Sequence, residues 1–206
     1  MKTFNEVINA VAVKINGNGT AANSQELIAA AKRGDLPKVW HLLPISDAKA
    51  VNEVGMSALM VASQRGHADI VALLMPVSDT QAKDGEYGWS ALAFAAAYGH
   101  VESVKILLAT SDANSLSAYG RTALMAASWN AHHDVVKLLL PITDTGIKDV
   151  DGRTAADHAR LTGNMATAGI IEGFAVVKAQ ALAPAESVSS PAKQLSNERR
   201  ARSLEM

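Results

Sequence analysis

The chain has 206 residues, 49% of them apolar and only 4% aromatic, with a formal net charge of −1 and no cysteine. That length allows one ordinary domain or one repeat array with tails. The charge argues against a general nucleic-acid or membrane-surface binder, and the missing cysteine excludes a disulfide framework and thiolate metal sites. At the N-terminus Phe4, Val7, Ile8, Val11 and Ile15 recur at helical spacing, and Thr3 with Glu6 forms a capping box. Residues 1–23 therefore read as an amphipathic helix and linker, the helix packing on the remainder of the chain. An export signal would need a basic start and a continuous apolar run. Gly17-Asn18-Gly19 lacks the Gly-Lys-Ser/Thr ending of a phosphate loop.

From Ser24 onward one pattern repeats. Gly55, Gly88, Gly120 and Gly152 each stand two residues before a small-residue triplet, and they follow one another at intervals of 32 or 33. Such a period is the mark of stacked supersecondary units. Each unit opens with a glycine turn, then a Ser or Thr that can cap a short, alanine-rich helix. Gly34, Gly66, Gly99 and Gly163 break that helix, with Ala131 in the same place in the fourth unit. A second helix follows, carrying Val39/Leu42/Leu43, Ile70/Leu73/Leu74, Val104/Leu107/Leu108 or Val135/Leu138/Leu139, and Pro44, Pro76 and Pro141 end three of them. The units fall near 25–52, 53–85, 86–117, 118–149 and 150–174. The first lacks the leading turn and the fifth lacks the Leu-Leu pair, as N- and C-terminal caps should. Ala175 to Leu182 extends a helix that Pro184 should end. The rest of 175–206 is an Ala/Pro/Ser-rich tail with a basic end at Arg199, Arg200 and Arg202. No stretch is long and apolar enough to span a bilayer.

The repeated Gly-x-[Ser/Thr]-Ala-Leu-x-x-Ala, the following Gly-His at Gly66-His67 and Gly99-His100, and the closing [Ile/Val]-Val-x-Leu-Leu resemble the ankyrin repeat over about three quarters of the chain. The resemblance implies an all-α, ankyrin-type helical repeat solenoid of about five helix-turn-helix units joined by β-turn loops. It also implies a non-catalytic role in binding another protein through the concave face and turn tips. The family's Thr-Pro-Leu-His is altered here. The proline is alanine throughout, and the histidine is Met60, Ala93, Met125 or Asp157. A looser hydrogen-bond network between units is expected from that loss.

No residue set points to catalysis or to a cofactor. His67, His100 and His132 recur with the repeat, and a spacing of roughly 10 Å between packed units is too long for a shared metal. His132 and His133 are neighbours on a helix and point in different directions. Ser128, Asp157 and His158 lack a nucleophile elbow. The aromatic residues are more telling. Tyr87, Trp89, Tyr98, Tyr119 and Trp129 all fall at turn tips or first-helix ends, where stacking does not need them, and only Trp40 among the Trp and Tyr residues does not. Exposed aromatics mark interfaces. The expected partner-binding set is Met56, Arg65, Tyr87, Trp89, Tyr98, Tyr119, Arg121, Trp129 and Asn130. An adaptor or inhibitor in the cytoplasm is the leading expectation. A permanent structural subunit with its termini ordered by neighbouring chains is the alternative, as is an effector secreted without an N-terminal signal.

Overall fold

The computed structural model describes residues 21–182; the expected N-terminal helix, most of its linker and the basic end of the tail lie outside them, and the last residues assigned to that linker, 21–23, are instead the start of a helix. The described residues form helices, with no strand and one isolated bridge between Val51 and Ser57. Five helix pairs follow one another: α1 (Ala21–Arg33) with α2 (Leu36–Leu42), α3 (Ala58–Arg65) with α4 (Ala68–Leu74), and α5 (Ala91–Ala97) with α6 (Val101–Leu107). The last two pairs are α7 (Ala123–Trp129) with α8 (His133–Leu139), and α9 (Ala155–Leu161) with α10 (Met165–Leu182). The helical array belongs to a compact unit that runs to Glu172. α10 continues past the expected end of the array near residue 174, and from Gly173 it belongs to a second unit.

The first helices pack in a row, α1–α3–α5–α7–α9, and approach one another more closely than the second helices do. Their composition allows it. In α5 all seven residues, Ala-Leu-Ala-Phe-Ala-Ala-Ala, are buried. Each start is fixed as expected, with Ser57, Ser90, Thr122 and Thr154 accepting a hydrogen bond from the backbone N–H three residues on. Leu59, Leu92, Leu124, Ile70 and Leu139 fill the core between layers. The prolines do not simply stop the second helices. Pro44, Pro76 and Pro141 each sit inside a 3₁₀ turn that tightens the helix end: Leu43–Ile45, Met75–Val77 and Leu140–Ile142.

Two glycine positions per unit set the stacking distance. All the break glycines have φ near +76°, and each of the first three is covered by the histidine of the next unit: His67 lies over Gly34, His100 over Gly66 and His132 over Gly99. A Cβ on Gly99 would come within 2.5 Å of the His132 ring. The fourth unit departs from this twice. Ala131 holds φ +57° without being glycine, and the residue in the histidine place of the fifth unit is the smaller Asn164. The two changes go together, because a methyl group at 131 leaves no room for an imidazole. The polar tie survives the exchange. His100 Nε2 pairs with Gln64 O and His132 Nε2 with Ala97 O, both at 3.0 Å, while Asn164 Nδ2 donates to Trp129 O at 3.3 Å.

The turn tips form a second ladder. Each is closed by a backbone bond, Asn52 N to Met56 O, Asp84 N to Trp89 O, Ser117 N to Arg121 O and Asp149 N to Arg153 O. Successive tips are joined by one more: Gly85 N to Val54 O, Ala118 N to Tyr87 O and Val150 N to Tyr119 O. Successive units are thus joined by the Gly-His ring contacts and by these tip bonds, while Met60 and Met125, in the place of the first-helix histidine, are buried apolar side chains.

Gly55→Ala should cost about 2–4 kcal/mol, since it adds left-handed strain to a clash with the backbone of Gly85. Gly152→Ala, with φ +77° but open space around it, should cost only about 1–2 kcal/mol; urea unfolding of both variants checks the difference. In the same assay Asn164→His alone should destabilise the chain, while Ala131→Gly/Asn164→His should recover that loss, a non-additive pair.

Candidate functional site

The side chains that project from the tips are held from below. In each tip a polar side chain accepts the otherwise unpaired turn N–H groups. Asn52 Oδ1 takes Val54 and Met56, Ser117 Oγ takes Tyr119 and Arg121, and Asp149 Oδ1 takes Asp151 and Arg153. The third unit has one extra tip residue, and there Asp84 takes three, from Glu86, Tyr87 and Trp89. These acceptors were legible: Asn52, Ser117 and Asp149 each stand three residues before the tip glycine, and Asp84 stands four before it. Acceptors of this kind, buried at Asp84 and Asp149 and half-buried at Asn52 and Ser117, fix a loop and let its outward side chains be rigid.

The aromatic residues of the third and fourth units meet. A cleft of about 450 Å³ is lined by the rings of Tyr87, Trp89, Phe94, Tyr98 and Tyr119, and by the polar side chains of Gln64 and Arg121. Trp89 packs edge-on to Phe94 at 5.4 Å and is tilted against Tyr87 at 6.2 Å. Tyr98 stacks on His100, and its hydroxyl accepts from Gln64 Nε2 at 3.4 Å. The Arg121 guanidinium lies 5.9 Å from the ring centres of both Tyr119 and Trp129. Tyr98 is 53% exposed, Tyr119 47%, Tyr87 43% and Trp129 42%, so large apolar area faces solvent on units that have already satisfied their stacking contacts.

The family models for ankyrin repeats match residues 27–117 as three copies and residues 119–155 as a further repeat, more than half of the chain. The chain belongs to the ankyrin-repeat family. Ankyrin repeats are protein–protein interaction modules and are typically non-catalytic. No curated protein matches this ankyrin chain.

Of the nine residues expected at the binding surface, Tyr87, Trp89, Tyr98, Tyr119 and Arg121 line one cleft, and Trp129 adjoins it through Arg121. Met56 does not join them, because it is buried. Arg65 is exposed and lines a neighbouring depression with Gln64, Tyr98 and His100. Asn130 is exposed, but its amide donates to Ala126 O and closes the end of α7. Ala97, beside Tyr98 at the end of α5, is buried. Gln64 and Phe94 line the cleft but stand outside the expected set of nine; Phe94 is a core residue by its spacing, and only the stacking of units shows that its ring edge reaches the cleft. Trp40 lines a separate apolar groove with Leu36, Pro37 and Leu73, on the second-helix side of the first two units.

The candidate catalytic groups are engaged elsewhere. Ser128 Oγ donates to Leu124 O within α7, and Asp157 caps Thr154. His132 turns to the preceding unit and His133 to Thr167 of the following one. Among the described residues, no three His, Asp or Glu side chains gather as metal ligands, and no helix is long and apolar enough to cross a membrane.

One buried polar network underlies the cleft. Asp149 Oδ2 accepts from His158 Nε2 at 2.8 Å and lies 3.7 Å from Arg121 Nε. The Trp129 ring packs edge-on over His158 at 5.6 Å. Burial works to raise the Asp149 carboxyl, but the N–H of Arg153, the imidazole of His158 and the N–H of Asp151 outweigh it and hold the group below its ordinary range. His158 is lowered, chiefly by burial, against the opposing pull of Asp149. The imidazole is therefore neutral at neutral pH, with Nε2 carrying the proton that Asp149 receives.

A histidine held below its ordinary value takes up protons more readily in the unfolded chain, so its contribution to stability is lost as pH falls from about 6.5. His158→Gln, which can still donate to Asp149, should flatten the decline in unfolding free energy between pH 7.5 and 5.5 relative to wild type, as read by urea unfolding at the two values.

Proposed function

We propose that this ankyrin protein acts as an adaptor or inhibitor, without catalysis, by gripping a protein partner on the tips and first-helix ends of its middle repeats. Tyr87, Trp89, Tyr98, Tyr119, Arg121 and Trp129 form the centre of that surface, with Arg65 and Asn130 at its margin. The observation that carries this reading is the exposure of four large rings beside one cleft in a chain with only three Trp and three Tyr. Such rings contribute most when a partner covers them, and Trp, Tyr and Arg dominate binding energetics at interfaces. The backbone of Tyr87 and Tyr119 is already pinned by the tip ladder, and that of Tyr98 and Trp129 by the ends of α5 and α7, so little conformational freedom is lost on binding.

Trp89 is half-buried against Phe94, which makes it a poor choice for separating binding from stability. Tyr98 and Tyr119 are the cleaner pair. Tyr98→Ala/Tyr119→Ala should change unfolding free energy by no more than about 1 kcal/mol, as exposed sites do. It should also reduce capture of the partner from native lysate at least about tenfold. Capture equal to wild type by the double variant would overturn the assignment.

A further inference from the structure

The cleft has one charged side chain in its lining, Arg121, and that side chain is unusually placed. Its guanidinium lies over two rings, Tyr119 and Trp129, which restrict where it can point. Among the described residues the one carboxylate it meets is Asp149, at 3.7 Å from Nε, beyond hydrogen-bond reach. That carboxylate oxygen is already committed to His158 at 2.8 Å. Nε itself is buried and has no hydrogen-bond partner. The side chain as a whole is still 34% exposed. Arg121 is thus a fixed cation, partly open to solvent, whose planar donor fork lacks a bonded acceptor within the described residues. The geometry that satisfies such a fork is a carboxylate held by two parallel N–H donors.

We propose that the cleft takes an acidic peptide segment of the partner, with one Asp or Glu carboxylate on the Arg121 guanidinium and an adjacent bulky apolar side chain between the rings of Trp89, Tyr98 and Tyr119. This rests on the protein-binding function proposed for the same surface and goes further by naming the partner's chemistry. Charge excludes the other occupants. A methylated or free ammonium group would need the faces of Tyr119 and Trp129, where Arg121 already places a positive charge. A phosphate carries nearly two negative charges and is met by clusters of cations, whereas this cleft has one. Glu86, the acid beside Tyr87, does not line the cleft. It raises the Tyr87 phenol, first by hydrogen bonding to it and then by its charge, so it is occupied at the cleft's margin.

The test uses the full chain and a library of random peptides with blocked, uncharged C-termini, selected on wild type and on Arg121→Gln. Individual peptides are then measured by fluorescence anisotropy. Wild type should enrich peptides carrying Asp or Glu within three residues of Leu, Phe or Trp. Arg121→Gln should bind those peptides at least about tenfold more weakly. Changing the peptide's acid to its amide should weaken binding to wild type equally and add nothing further on the variant. The peptide change needs no protein substitution, so the answer stands even if Arg121→Gln disturbs folding. Enrichment without acidic residues, no enrichment at all, equal binding of acid and amide peptides, or preference for a phosphorylated or basic sequence would each overturn the proposal. If any of these occurs while Tyr98→Ala/Tyr119→Ala still loses the partner, the protein-binding function survives and only the acidic specificity fails.

Discussion

Close approach between successive units at positions that tolerate no side chain is the constraint on which the rest of this protein depends. At the first three break glycines the next unit's histidine occupies the space that a Cβ would fill. At Gly55 and Gly88 the next tip does so with its backbone, and at Gly120 the next tip's backbone stands a tight 3.2 Å from the place of the Cβ. Both positions also need a left-handed backbone, which glycine adopts without steric penalty. Gly152 and Gly163 have similar φ, but among the described residues nothing lies within 4 Å of the place of their Cβ. The repeat therefore keeps its conformational requirement at the end of the array and loses its packing requirement there.

The same spacing produces the binding surface. Because tip joins tip by a backbone hydrogen bond, side chains of one unit are set beside those of the next at a fixed interval, and residues far apart in sequence become one cleft. Gln64, Tyr98 and Tyr119 come from three units. The polar acceptors below the tips, Asn52, Asp84, Ser117 and Asp149, hold the loops still. Stiff loops carrying large rings suit recognition better than mobile ones, because less freedom remains to be lost.

Charge is distributed unevenly within this frame. Most ion pairs are exposed, such as Glu26 with Arg33 and Lys38, or Arg160 with Asp157 and Glu172, and pairs of that kind add little to stability. Asp149 differs because it is buried and serves three neighbours at once: its own turn, His158, and at longer range Arg121. It couples the last turn tip of the array to the cation of the aromatic cleft.

The sequence by itself determined the modules. The interval between glycines, the capping Ser and Thr residues and the apolar pairs of the second helices are local requirements of turns and helices, so they are written in consecutive residues and can be read there. It also marked the aromatic residues as surplus to stacking, because their places in the repeat are not core places. Tertiary structure alone decided which of them meet. Met56 stands at a tip by sequence but is buried, whereas Phe94 is a core residue whose ring edge reaches the cleft. The pairing of Asp149 with His158, the placement of Arg121 over two rings and the exchange of glycine and histidine for Ala131 and Asn164 depend on how one unit rests on the next. Those contacts join residues separated by a turn, a helix or a whole repeat, and no local pattern encodes the distance between them.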